Sequence, residues 1–410
     1  MLRLFTLASL ALLCSACSTP SSILQPPATS APANAALNAK VFDKAWSLIN
    51  EHYYDPNFRG VNWPEIASKY RPAALAANDA FERYRVLNQM SGELGDKHVR
   101  ASLPRLTVKH GTQMPDPGLR YRQINGVWIV TDVIPGSPAE RSGVQRGWLV
   151  ASRDGQAVSE YGLSELLSTR VGVPITFVFQ DEQDRTTSVS LDPELMSLDA
   201  TRFVSTRMPD GSRYLRFDHF NPVSARWLNS EIKAHRDAPG LILDLRNNHG
   251  GQQRALRRVM RAFFPNRRPL GQTITRDGQI KTLESYVTSP AHYSGPVVIL
   301  TSELTASSAE IFSHAMQYHH RATLVGGRTP GVVLGAGNYR LPDGGYLSVS
   351  HLDFIGVGGH QLEGIGVTPD IIVEPTLADL RAQRDEALQV ASRHLQEAIA
   401  VTVSTKAASL

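Results

Sequence analysis

Ser307 is the residue most suited to do chemistry. It lies in Leu304-Thr305-Ala306-Ser307-Ser308-Ala309-Glu310-Ile311-Phe312, directly after the β-branched run 296–300. Ile311, Phe312, Ala315 and Met316 then share one helical face, so the serine stands where a strand turns into a helix. A sharp turn of that kind holds a hydroxyl clear of the sheet. The next amide, that of Ser308, falls in the first helical turn, where N–H groups lack intrahelical partners and favour negative charge. Acyl transfer uses a nucleophile with an oxyanion donor beside it. A Ser/Thr helix cap accounts for the same residues, and this stretch alone leaves both readings open.

The elements that would position such a serine occupy a chain of 410 residues, enough for two or three domains. Hydrophobic content of 42%, charged content of 20% and a net charge of +4 without like-charge blocks are ordinary for a globular protein and argue weakly for any nucleic-acid partner. Residues 1–16 read as a secretory signal: a single early arginine, an apolar run at 4–13 too short to span a bilayer, then small residues. Ser15-Ala16-Cys17 resembles a bacterial lipobox, which implies acylation of Cys17. Ser18 in the next position implies, by the same resemblance, a periplasm-facing protein anchored to the outer membrane. Cys14 stands where such boxes usually carry leucine, and plain secretory cleavage is the alternative. With Cys14 and Cys17 the only cysteines, the mature chain has no internal disulfide.

Residues 17–36, rich in Ser, Pro, Thr and Ala, read as a flexible tether. Residues 37–104 read as helical, with apolar stripes at Phe42, Ala45, Ile49 and Tyr53 and again at Phe81, Tyr84, Leu87 and Leu94; the stretch 57–64 breaks the helices. Residues 105–195 change to short strands and turns. Residues 196–376 alternate apolar strands with amphipathic helices, the pattern of a largely parallel α/β core, and 342–345 reads as a hairpin turn. Residues 377–410, mostly polar, read as a helix capping the surface.

Several motifs resemble known families. Gly126-Val127-Trp128-Ile129-Val130, Gly136-Ser137-Pro138-Ala139, Ser142-Gly143-Val144 and Asp154-Gly155 fall in the order of a PDZ domain. Such domains bind an extended C-terminal peptide by strand addition. The resemblance makes Gly118, Leu119, Arg120 and Tyr121 the candidate carboxylate-binding loop, although Gly147-Trp148 stands where Gly-Asp is usual. Leu243-Asp244-Leu245-Arg246-Asn247-Asn248-His249-Gly250-Gly251, Leu362-Glu363-Gly364-Ile365-Gly366-Val367-Thr368-Pro369-Asp370 and Glu93-Leu94-Gly95-Asp96-Lys97-His98 match, in order, elements of the C-terminal processing (tail-specific) serine peptidases. This resemblance spans about 42–374. It implies a crotonase/Clp-protease-like α/β core, preceded by a helical region and a PDZ domain.

That family runs two chemistries. One uses a serine–lysine dyad, but the matching element here is Thr329-Pro330-Gly331-Val332-Val333, with Val332 where the lysine would stand. A valine cannot take a proton. The other branch resembles the tricorn-protease core. It implies that His98 activates Ser307 with help from Glu363, within hydrogen-bond reach, while the amides of Gly250 and Ser308 form the oxyanion hole. Lys97 departs from that branch, which has a serine before the histidine.

The expected function is therefore a serine endopeptidase acting on unstructured or C-terminal protein segments. The alternative is a non-catalytic peptide- or ligand-binding lipoprotein on the same scaffold. No cofactor is expected, and no histidine pair has the spacing of a zinc helix. Arg254, Arg257, Arg258 and Arg261 read as the solvated face of an amphipathic helix.

Overall fold

The computed structural model describes residues 34–104, 106–108, 111–124, 126–158, 169–197, 203–287 and 292–408. Cys17 and the signal and tether segments before Asn34 lie outside these. No described helix is long and apolar enough to cross a membrane.

The central sheet has the strand order Val204–Arg207, Arg213–Arg216, Leu241–Asp244, Val297–Thr301, Thr323–Gly326 and Ile371–Ile372. Its first pair is antiparallel and the rest are parallel. Every residue of Leu241–Asp244 and Val297–Thr301 is buried, as a parallel sheet covered on both faces requires. Strand alternation assigns the two faces. Leu241, Leu243, Val297 and Ile299 join the core beneath helices Pro222–Ala234, Gln253–Met260 and Ser308–Tyr318, whereas Ile242, Val298 and Leu300 face the opposite way.

A second sheet is built on the long strand Tyr346–Gly356. This strand pairs with Arg100–Ser102, Pro269–Thr275, Gly335–Arg340 and His360–Gln361. Gly335–Arg340 and Tyr346–Gly356 form the hairpin expected around 342–345. The early helices Ala35–His52, Trp63–Leu75 and Ala80–Gly92 share one core with Leu341, Leu347 and Val349. The helical region is thus not a separate body: the pairing of Arg100 with Ser348 ties it into the half of the chain that carries Ser307. The β-rich region has a sheet and core of its own, in the order Leu119–Ile124, Val127–Val133, Leu149–Arg153, Ile175–Gln180 and Thr186–Leu191. It joins the remainder through the antiparallel pair Gly111–Asp116 and Glu194–Ser197.

Two expectations change. The last helix, Glu386–Ala408, is no surface cap: Ala391 and Leu395 are fully buried against Ile242, Val298, Leu300 and Val325, forming the second layer over the sheet. Its few apolar residues looked sparse because only one narrow stripe is used. Nor is Arg257 merely solvated, since its Nε donates to Glu284 O at 2.6 Å and its guanidinium lies 4.2 Å from the Tyr286 ring centre. Leu395 packs where Gly240 has no side chain, and a Cβ on Gly240 would come within 2.8 Å of a Leu395 methyl. Leu395→Ala should therefore lower unfolding free energy by about 2–5 kcal/mol, read as a shift in the urea midpoint. An unchanged midpoint would contradict the packing described.

Candidate active site

The turn carrying Ser307 is held by short polar side chains. Ser302 Oγ donates to Arg246 O at 2.6 Å, Thr305 Oγ1 donates to Leu245 O at 2.9 Å, and Ala306 N donates to Asn248 O at 3.0 Å. These bonds fix the end of one parallel strand to the exit of the next. Ser307 itself has φ 56° and ψ −122°, a left-handed backbone in a residue with a Cβ. Such a conformation costs about 1–3 kcal/mol and persists only where its surroundings over-determine it.

Here the determinant is Glu310. Its side chain is fully buried, and its carboxylate accepts four hydrogen bonds. The donors are Thr329 Oγ1 at 2.6 Å, Gly331 N at 2.7 Å, Val332 N at 2.8 Å and Ser307 N at 3.0 Å. The Ser307 N–H also points to Val332 O at 2.8 Å. Burial pushes the Glu310 carboxyl above its ordinary value, and the four donors pull it back. One residue thus pins the nucleophile backbone to the 329–332 segment. The sequence reading assigned Glu310 no role, although a serine followed three residues later by glutamate has the spacing of a capping box.

Ser308 N–H opens helix Ser308–Tyr318 and has no acceptor among the described hydrogen bonds, leaving it free to meet an oxyanion. Gly250 has φ +88°, and a Cβ there would lie 2.6 Å from Ser307 Cβ and 2.9 Å from Ser308 N, so only glycine fits. Its expected role as an oxyanion donor needs correction. The Gly250 N–H donates to Asn248 Oδ1 at 2.9 Å. In this arrangement the glycine supplies close approach, and Ser308 supplies the free amide.

Val332 and Val333 connect the serine to the remaining candidates. The first accepts from Ser307 N through its carbonyl, and the second donates its N–H to Glu363 Oε2 at 3.0 Å. The 362–367 loop is fastened to the same segment by Gly364 N to Gly331 O at 2.8 Å and Val367 N to Thr329 Oγ1 at 2.7 Å. Glu363 Oε1 faces Arg59 Nη2 at 3.4 Å. Burial raises the Glu363 carboxyl; the Val333 N–H lowers it, nearby Asp96 raises it, and His98 and Arg59 lower it. His98 is therefore within electrostatic reach of Glu363.

Its ring, however, is oriented by Asp96. His98 N donates to Asp96 Oδ1 at 2.8 Å, and His98 Nδ1 lies 3.7 Å from the same oxygen. No hydrogen bond joins His98 to Ser307 Oγ among the described residues. The expected contact is thus not made here; Nδ1 faces Asp96, and Nε2 is the nitrogen left for the serine. His98 Nδ1, Asp96 Oδ2, Tyr53 OH and Ser350 Oγ are buried without hydrogen-bond partners, although Asp96 interacts electrostatically with the other three. Asp96 and Arg59 were not singled out from sequence. Lys97 is exposed.

The residues of the expected carboxylate loop are only partly loop-like. Gly118 N donates to Asp116 Oδ1 at 2.7 Å, whereas Leu119, Arg120 and Tyr121 begin an edge strand of the β-rich sheet. Arg122 on that strand forms an ion pair with Glu303, just before the nucleophile turn, and lies 3.8 Å from Glu374. Among the described residues no group of three or more His, Cys, Asp or Glu is arranged to hold a metal ion. His314 instead bonds Val357 O through Nε2 at 3.1 Å.

A strained serine between a buried parallel strand and a helix N-terminus, with an unpaired amide beside it, is the nucleophile-bearing core of a serine hydrolase. Residues 212–373 match the family model of peptidase family S41, and residues 35–92 match that of the tricorn protease C1 domain. A carboxyl-terminal-processing protease from Synechocystis sp. is 28% identical over 381 residues, covering 88% of each chain. A putative tricorn protease homolog 2 from Streptomyces coelicolor is 27% identical over 389 residues, covering 87% of this chain and 32% of that one. The solved photosystem II D1 C-terminal processing protease shares the fold, with a TM-score of 0.59 at 24% identity over 84% of this chain and 96% of that one. The chain is a serine-type peptidase, similar over its residues 212–373 to family S41 and over most of its length to the carboxyl-terminal-processing proteases.

Glu310→Gln would present an NH2 to donors that need an acceptor. It should cost about 1–3 kcal/mol in denaturant unfolding and lower kcat, although Glu310 faces no substrate. Wild-type stability and turnover in that variant would contradict the pinning role.

Proposed function

We propose that this chain is an endopeptidase cleaving unstructured or C-terminal protein segments by a Ser307–His98–Glu363 mechanism. The observation that carries the reading is the bond from Ser307 N–H to Val332 O. The segment where the other branch places its lysine is packed against the nucleophile, and it offers a valine. The imidazole that remains near by is His98, in the field of Glu363. His98 Nε2 takes the Ser307 proton as the hydroxyl attacks the scissile carbonyl. The Ser308 N–H receives the developing oxyanion, and the protonated imidazole then gives its proton to the leaving amine. Glu363 steadies the imidazolium.

The β-rich region acts in this proposal as a PDZ domain. Its edge strand at Leu119–Ile124 would take an extended segment by strand addition. Arg122 on the same strand contacts Glu303, so a captured segment lies beside the nucleophile turn. The name of the Synechocystis relative supports a C-terminal substrate. The amino-terminal sequence supports acylation at Cys17 and an anchor facing the periplasm from the outer membrane. Nothing in the fold or the comparisons favours the non-catalytic alternative.

Ser307→Ala should abolish cleavage of an unfolded protein and labelling by a fluorophosphonate. His98→Ala and Glu363→Gln should each lower kcat/KM by about 10²–10⁴; undiminished hydrolysis by either variant would sink the mechanism. On the acid side both the His98 base and Glu363 must be unprotonated, and Glu363 adds its own contribution. Burial raises its carboxyl above the ordinary glutamate value, so the carboxylate forms only at correspondingly higher pH. Activity should therefore fall as pH drops through a limb higher than an exposed glutamate would give. A pH–rate profile flat down to 4.5 would contradict this.

A further inference from the structure

The segment Asn57-Phe58-Arg59-Gly60, which in sequence only interrupts the helices, has an unusual backbone. Phe58, Arg59 and Gly60 are consecutive residues with φ of 51°, 56° and 85°. Two of the three carry side chains that disfavour this region. Their surroundings hold them there. Asp55 accepts from Asn57 N at 2.9 Å and Arg59 N at 2.7 Å, while the Phe58 ring stacks between Tyr53 at 6.0 Å and Trp63 at 5.7 Å.

The result of this constrained turn is the placement of one guanidinium. Arg59 Nη1 donates to Gly95 O at 3.1 Å, and Nη2 reaches Glu363 Oε1 at 3.4 Å. Gly95 belongs to the turn that carries Asp96 and His98. A single planar fork therefore spans the loop of the proposed base and the proposed assisting carboxylate.

The geometry points to Arg59 as a positioning residue for the Ser307–His98–Glu363 reaction, a fork that sets the spacing of the His98 loop and Glu363 and keeps Glu363 charged. The inference rests on the mechanism proposed above. The groups facing this fork are Glu363, Tyr53 and Tyr54; Asp96 and His98 act on Glu363 from the adjoining turn, and Asp353 acts on Tyr54. Two carboxylates close together disfavour each other's charge, and a fixed cation between their loops relieves that. With neutral His98, the set Asp96, Glu363 and Arg59 carries a net charge of −1. Accepting the serine proton brings the cluster to zero. Without Arg59 the two carboxylates face each other uncompensated, and Glu363 takes up a proton at higher pH. Arginine suits the task because its fork can hold a carbonyl and a carboxylate at once.

The test compares Arg59→Gly and Arg59→Lys in the full-length protein, using an unfolded protein substrate and fluorophosphonate labelling across pH. Glycine accepts φ 56° without strain, so R59G keeps the turn while losing the fork, and its thermal midpoint checks that the fold persists. The acid limb of kcat/KM should move to higher pH in R59G. R59K, which keeps the charge, should bring it back toward wild type. An inactive R59G beside an active R59K would also support the assignment. An acid limb unmoved in R59G would overturn it, as would equal loss in R59G and R59K with both folds intact. His98→Ala and Glu363→Gln run alongside separate the two claims. Full activity in those variants removes the underlying mechanism, whereas their loss with an unmoved R59G limb removes only the role of Arg59.

Discussion

A single buried carboxylate organises the catalytic side of this molecule. Glu310 has no solvent to satisfy it, so its oxygens must be met by protein donors, and four groups from two separate segments do so. This requirement turns a costly burial into a structural constraint. The backbone of Ser307 stays in a conformation it would otherwise leave, and the 329–332 segment cannot drift from it. Because Val333 N–H passes directly to Glu363, the same constraint sets where the second carboxylate stands. The nucleophile and the assisting acid are thus linked through two adjacent backbone residues, Val332 and Val333.

The histidine arrives by a different route. Arg100–Ser102 adds to the edge of the long strand Tyr346–Gly356, and the early helices share a core with that strand's neighbours. The base is consequently delivered by a non-local pairing between segments far apart in sequence. That origin explains why the His98 turn needs local fastening. Asp96 holds its backbone, and the ring carries a buried nitrogen without a hydrogen bond. A few unpaired polar atoms within reach of one another mark a place where small ring movements can exchange partners.

Much of this was legible in sequence, for physical reasons. The strand–serine–helix pattern around Ser307 shows itself because burial on both faces of a parallel sheet imposes an apolar run, and the helix imposes its own period. The alternation of strands and helices over 196–376 follows from the same rule, as does the hairpin at 342–345. What could not be read depends on direction rather than residue type. Gly250 is needed for close approach, but only coordinates reveal that its N–H is turned to Asn248. Glu310 looks like a helix cap until its four partners, two of them backbone amides more than twenty residues away, are seen. Arg59 is hidden further, since nothing in Asn57-Phe58-Arg59-Gly60 signals a guanidinium reaching Glu363. Helix Glu386–Ala408 reads as polar because a single stripe of small and branched residues suffices to cover the sheet.

The account stands or falls on whether the His98 imidazole serves the Ser307 hydroxyl. A crystal structure of the protein with a phosphonate covalently bound at Ser307 tests this most directly. It should show His98 Nε2 about 2.6–3.2 Å from the Ser307 oxygen or the leaving-group position, with the phosphoryl oxygen on Ser308 N–H. An adduct in which the ring stays turned to Asp96 and out of reach, with another basic group against the serine, would contradict it.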